Sequence, residues 1–293
     1  MKPGICIFTP TYNRAYKLPD LYKSLLSQTS RDFCWMIVDD GSTDETSRVV
    51  NSWKENADFE ITYIKQGNGG KQRAINTGSQ ACRTELFCCV DSDDTLVPDA
   101  VEIILSNWKT YSDNHIVAGI VTPRAMRNDL FPESGAYKLG EINNELGYRG
   151  ETLIATRTEI VRQHPFWVDP EEKFIPELYQ FDQIDQKYTY EAIKMELCIG
   201  SYLEDGYSRS YGELILNNPR SFAEYKRQCI LFSRSALLRL KETLLYLGWS
   251  YIGMVEKEVV IQRAPNQLLC KSLYPLSPLI SKVIYISIEK SNA

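Results

Sequence analysis

Three aspartates fall within four residues at Asp91-Ser92-Asp93-Asp94, directly after the apolar run Leu86 to Val90. Carboxylates set against a buried strand are costly unless water, hydrogen bonds or a cation compensate them. A hard divalent cation, Mg²⁺ or Mn²⁺, prefers carboxylate oxygens. It could bridge these side chains to a diphosphate and neutralise charge on a departing oxygen. The plain alternative is a helix cap, with Asp94 or Thr95 ahead of Pro98, but three aspartates exceed what a cap needs.

Three further stretches carry polar groups at strand ends. In Val38-Asp39-Asp40-Gly41-Ser42-Thr43-Asp44, Gly41 supplies a tight turn and one carboxylate can accept the N–H of a nucleobase. In Thr9-Pro10-Thr11-Tyr12-Asn13-Arg14, Tyr12 can border a base and Arg14 can meet a phosphate. In Gly67-Asn68-Gly69-Gly70-Lys71, the glycines permit close backbone approach, and the helix that follows carries Lys71 on its first turn. Both features suit an anionic ligand. The last stretch is not a Walker A loop, because G-x-x-x-x-G-K-[ST] is not matched. Each stretch taken alone also reads as a turn or a cap.

The elements that must position these groups alternate. Strands are predicted at Ile5–Thr9, Cys34–Val38, Phe59–Ile64, Leu86–Val90 and Ile116–Val121. Between them, Leu18, Leu21, Tyr22, Leu25 and Leu26 make one helical stripe. Val49, Val50 and Trp53 make a second, capped by Thr43 or Asp44, and helices follow over 71–82 and from Pro98 to Trp108. Strands joined by helical crossovers imply a mainly parallel, Rossmann-like α/β sheet flanked by helices. Ligands in such sheets bind beyond the carboxyl ends of the strands, so Thr11, Tyr12, Asn13, Asp39, Asp40, Asp91 and Asp93 should gather at one edge. Residues 123–190 show no clear period. From Phe222 to Leu247 the pattern is helical, with Gly248 as a stop, so a helical C-terminal region is expected.

The 293 residues are 43% hydrophobic and 24% charged, with a formal charge of -5, and acids and bases are mixed. That balance argues against a nucleic-acid partner, which selects concentrated positive charge. The eight cysteines include no C-x-x-C pair and read as free thiols packed as small apolar groups, which fits a reducing cytoplasm. The first residues do not form a signal peptide, and no run of about 18 apolar residues could span a membrane. The apolar segment Leu273 to Ile288 is broken by Pro275, Pro278 and Lys282. It either caps the fold or lies peripherally on the inner face of the cell membrane, and capping is favoured. Nothing in the sequence fixes an oligomeric state.

The four stretches stand in an order that resembles family 2 glycosyltransferases with the GT-A fold, of the bacterial surface-polysaccharide type. Phe8 to Arg14, Val38 to Asp44, Gly69-Gly70-Lys71 with Ala74 to Gly78, and Val90 to Asp94 carry the resemblance, which covers roughly residues 3–125 and loosens afterwards. It implies a metal-dependent, inverting transfer of a sugar from a UDP-sugar to a hydroxyl of a glycan or lipid-linked glycan. Pro10, Thr11, Tyr12 and Asp40 would hold the uridine base, with Asp39 beside them. Arg14, Gly70 and Lys71 would approach the nucleotide. Asp91 and Asp93 would form the D-x-D motif, with Asp93 the main Mn²⁺ or Mg²⁺ contact, and Asp91 and Ser92 would lie near the ribose and diphosphate.

The resemblance also requires a carboxylate base in the second half. Glu171-Glu172-Lys173-Phe174-Ile175-Pro176-Glu177 is similar to the segment that holds it, and Glu177 is chosen, although Leu178 stands where an Asp is expected. Asp182 and Glu172 are reserves. The segment Tyr202 to Tyr207 could line an acceptor cleft or form a turn. The functional division expected is 1–122 for the nucleotide-sugar half, 123–215 for the acceptor half with the base, and 216–293 for a helical appendage. Two rivals are a non-catalytic sugar-nucleotide-binding scaffold and a sugar-nucleotide pyrophosphorylase. The second needs a glycine-rich nucleotide loop after its first strand, and Thr9-Pro10-Thr11-Tyr12 stands there instead.

Overall fold

The computed structural model describes residues 3–124, 130–200 and 211–292; Tyr202 to Tyr207 lie outside them. The chain divides into two compact units, Met1–Phe166 with Gln180–Leu203, and Trp167–Tyr179 with Glu204–Ala293. This division differs from the functional thirds set out above.

The first unit begins β1 (Ile5–Thr11), α1 (Leu18–Leu26), β2 (Phe33–Asp39), α2 (Thr46–Lys54), β3 (Glu60–Lys65), α3 (Lys71–Ala81) and β4 (Leu86–Cys89). It continues β5 (Thr95–Leu96), α4 (Ala100–Tyr111), β6 (Val117–Arg124), β7 (Ser134–Tyr137), β8 (Glu151–Arg157), α5 (Thr158–Gln163), α6 (Leu178–Ile184), β9 (Thr189–Ile193) and β10 (Cys198–Ile199). Each strand predicted before residue 122 is present, its ends within three residues of those expected. β1 is buried on both faces, as its continuous apolar run requires. Ile5 and Ile7 pack with Leu18, Leu21 and Leu25 of α1 and with Trp35 of β2. Phe8 points the other way and stacks on Phe87 at 4.7 Å.

The main sheet has the order β3-β2-β1-β4-β8-β6-β9-β7. β1, β2, β3 and β4 pair in parallel. β8 is antiparallel to both β4 and β6, so β6 again runs with β4. The carboxyl ends of β1, β2, β4 and β6 therefore share one edge. The missing period after residue 122 has a physical cause. β7 is a four-residue edge strand with alternating exposure, and the elements around it are short.

The second unit holds α7 (Tyr211–Leu216), α8 (Pro219–Phe232), α9 (Ala236–Ile252), α10 (Lys257–Arg263), α11 (Gln267–Leu273) and α12 (Ser277–Asn292). Two expectations change here. The single helical stretch is broken at residues 233–235, where Ser235 caps α9 by accepting the N–H of Leu238. Gly248 does not stop the helix but lies inside α9. A Cβ there would come within 2.6 Å of Ile280 and 2.7 Å of Ile284, so its lack of a side chain seats α12 against α9.

Candidate active site

The edge shared by β1 and β2 is tied mainly by neutral donors, with one cation beside them: Lys65 Nζ donates to the Ser42 carbonyl at 2.7 Å and lies 4.0 Å from Asp39 Oδ2. Thr11 and Asp39 are register partners. Asn13 sits at φ 53, where its side-chain oxygen accepts Thr43 N–H at 2.8 Å while its own N–H donates to Ser42 Oγ at 2.8 Å. Asn is one of the few non-glycine residues that enters this backbone region readily. Asp39 is fully buried and accepts Ser42 N–H at 2.7 Å together with the hydroxyl of Tyr63. Burial, then the bond to Asp39, pushes the Tyr63 phenol up to about 12.

Asp40 is used still more heavily. Its Oδ1 accepts Gln66 Nε2 at 2.7 Å and Gly69 N–H at 2.9 Å, and its Oδ2 accepts Gly70 N–H at 2.7 Å. The glycine amides that the sequence offered to an anion thus donate to a carboxylate of the protein. A carboxylate has about four acceptor directions, so these three bonds leave one at Asp40 without a donor among the described residues. Gly41 turns the chain at φ 87, and a Cβ there would meet the Asn68 amide nitrogen at 2.9 Å. Tyr12 stands on this edge 47% exposed.

The edge shared by β4 and β6 is ionic. Lys71 Nζ lies 2.8 and 2.9 Å from the two oxygens of Asp91. Arg124, at the end of β6, pairs with Asp94 at 2.7 Å and reaches Glu151 at 3.3 Å. Burial opposes the charge on Asp91, yet Lys71 and Arg124 hold its pKa below the ordinary carboxylate range. Asp93 goes the other way. Burial, then the charge of Asp91, raises it against the pull of Arg124 and Arg14. Burial also pushes Asp94 up to about 7, with Arg124 opposing and Asp91 and Asp93 reinforcing the shift. Arg14 thus faces this cluster, and it also donates to Tyr16 Oη at 3.0 Å. Ser92 is buried.

The donor set fits a hard cation with a diphosphate. Among the described residues no group of three or more His, Cys, Asp and Glu side chains is arranged to hold a metal ion. Mg²⁺ needs none, because it keeps waters and takes one or two carboxylates plus substrate phosphates. A cation at Asp93 would relieve the charge that burial and Asp91 suppress. Arg124 Nε and Thr11 Oγ1, both buried at this edge, have no hydrogen-bond partner among the described residues. Buried polar groups without partners are uncommon and call for an explanation; an anionic ligand supplies one.

The glycosyl transferase family 2 model matches residues 6–168, which hold all of the groups just described. This chain belongs to glycosyl transferase family 2. Chondroitin synthase of Escherichia coli is 37% identical over 107 residues, 36% of this chain and 16% of the synthase. The Staphylococcus aureus TarS 1–349 complex with UDP-GlcNAc aligns with TM-score 0.56 and 18% identity, over 99% of this chain and 91% of that one. The Pyrobaculum calidifontis mannosyltransferase PcManGT, solved with GDP-Man and Mn²⁺, gives 0.55 and 17%, over 100% and 84%. At these identities the two structures establish the GT-A fold.

Within this family member the remaining sequence candidates separate. Glu177 is exposed and lies in the second unit. Glu172 is a helix cap: its two oxygens accept the N–H groups of Arg220 at 2.8 Å and Ser221 at 2.7 Å, on the first turn of α8. Asn218 answers by accepting the N–H groups of Lys173 and Phe174 at 2.8 and 3.0 Å. Asp182 lies on α6. Pro10 pairs in register with Val38 inside the sheet. Arg124 was missed from sequence. Its one signal is that it ends the apolar run of β6, as the aspartates end theirs.

Proposed function

We propose that this chain is an inverting, metal-dependent glycosyltransferase that moves a sugar from a UDP-sugar to a hydroxyl of a glycan or lipid-linked glycan, in bacterial surface-polysaccharide assembly. The ionic corner carries the reading: Asp91, Asp93 and Asp94 are met by Lys71, Arg124 and Arg14 on the edge that also holds Asp40 and Tyr12. Asp93 and Asp91 would hold Mn²⁺ or Mg²⁺, which when bound neutralises the charge that grows on the departing UDP. Lys71 and Arg124 would add fixed positive charge beside the same phosphates. Tyr12, Pro10, Thr11 and the open acceptor direction of Asp40 would take the base, with Asp39 holding the turn.

Glu177 would accept the proton of the attacking hydroxyl, a role that rests on the sequence resemblance. In this reading residues 1–122 bind the donor, 123–215 take the acceptor and supply the base, and 216–293 are an appendage. The setting is the cytoplasm, at the inner face of the membrane when the acceptor is lipid-linked. No helix among the described residues is long and apolar enough to cross a membrane.

The test is a panel of UDP-sugars with Mn²⁺ or Mg²⁺, followed by UDP release and thermal melting. A true donor at 100 times its dissociation constant stabilises the fold by about 2.7 kcal/mol. If no UDP-sugar binds or is turned over with either metal, the reading is wrong.

A further inference from the structure

The inner face of α12 is fixed, since Ser277, Ser281 and Ile284 are buried and Gly248 admits Ile280 and Ile284 closely. Its outer face is apolar and uncovered: Leu279 is 62%, Val283 59% and Ile286 52% exposed, and Leu276, on the 3-10 turn Tyr274–Leu276 that leads into the helix, is 43% exposed. With Lys290 these residues follow spacings of three, four, three and four. That is the narrow a/d stripe of a helix made to pack along another helix. The helix cannot turn this stripe inward without exposing the face already seated on α9.

We propose that this face pairs with the same face of a second copy of the chain, the two α12 helices running antiparallel about a two-fold axis. Charge selects that occupant. Lys282 and Glu289 are both exposed, stand seven residues apart on one flank of the stripe, and make no ion pair among the described residues. Antiparallel packing that layers Val283 on Ile286 of the partner subunit sets Lys282 beside Glu289 of the partner subunit. The symmetry axis repeats the contact, so the surface is self-complementary, as an isologous interface must be. Parallel packing would set Lys282 beside Ser287 of the partner subunit and leave both charges unmatched. An anionic lipid surface would be opposed by Glu289. The pairing is independent of the sugar-transfer reading.

Sedimentation equilibrium of the full chain tests it. The wild type should show a mass that rises with concentration from 33.7 kDa toward twice that value. Lys282→Glu and Glu289→Lys should each weaken the dimer about tenfold, since each turns two surface attractions into repulsions. The Lys282→Glu/Glu289→Lys double variant should restore it. Val283→Asp should give a monomer with unchanged melting, because the residue is exposed. A monomeric wild type, or a dimer indifferent to the charge reversals, overturns the proposal. So does binding to phosphatidylglycerol vesicles that Val283→Asp abolishes while the wild type stays monomeric.

Discussion

Two acidic corners on one sheet edge look alike in sequence and are built differently. At the end of β2, Asp39 and Asp40 take their hydrogen bonds mainly from neutral donors, among them the amides of Ser42, Gly69 and Gly70. At the end of β4, Asp91 and Asp94 are held by Lys71 and Arg124, while Asp93 is raised by burial and by its neighbour. The first corner spends its acceptors on shape. The second keeps opposed charges close together, the condition under which an added cation and an added anion both gain.

The contrast can be broken by substitution. The largest effect expected is on catalysis: Asp93→Asn should lower sugar transfer by about 10²- to 10³-fold, the scale of losing one electrostatic stabiliser. Its melting temperature without metal should hold or rise, since the ionised Asp93 is disfavoured in the fold. Asp40→Ala should do the reverse in kind. It strands two buried amides at about 1–3 kcal/mol each, so denaturant unfolding should show a loss of about 2–6 kcal/mol. If Asp40→Ala folds as stably as the wild type, the corner is not structural.

Smaller effects sharpen the comparison. Lys71→Met should raise the affinity of the free protein for Mn²⁺, by releasing Asp91, while weakening UDP-sugar binding; calorimetry would show both. The pH dependence should differ in sign. Asp44 lies below its ordinary range: burial opposes the charge, but bonds from Thr46 and Ala15 outweigh it. Its stabilisation is present above about pH 4 and is lost as pH falls through its lower folded value. Asp94, pushed up to about 7, favours the fold below about pH 4 and loses that advantage as pH rises through 7. Asp44→Asn should therefore reduce the stability lost in acid, and Asp94→Asn the stability lost on the way to neutrality, in metal-free melting.

The acidic edge was legible because its groups follow buried strands. Apolar runs announced β1, β2 and β4, and the polar residues after them had to meet at one edge. What stayed hidden depends on partners far along the chain. Arg124 reaches Asp94 only because β8 enters between β4 and β6 and reverses direction. Gly69 and Gly70 could not be assigned to Asp40 without the turn at Gly41. Gly248 read as a stop because glycine ends many helices, and only the approach of α12 explains it inside one. Glu172 resembled a reserve base, yet its partners lie on α8, 48 and 49 residues later.

The hold of Asp40 on the glycine loop has a consequence for how that loop behaves in time. The amides of Gly69 and Gly70 make buried bonds to a carboxylate anchored just past the end of β2, a strand paired on both sides. In hydrogen–deuterium exchange they should be protected on the timescale of the sheet, while neighbouring loop amides exchange early. A stretch rich in glycine would then keep its shape between turnovers, and Lys71 would wait at one position for each incoming nucleotide.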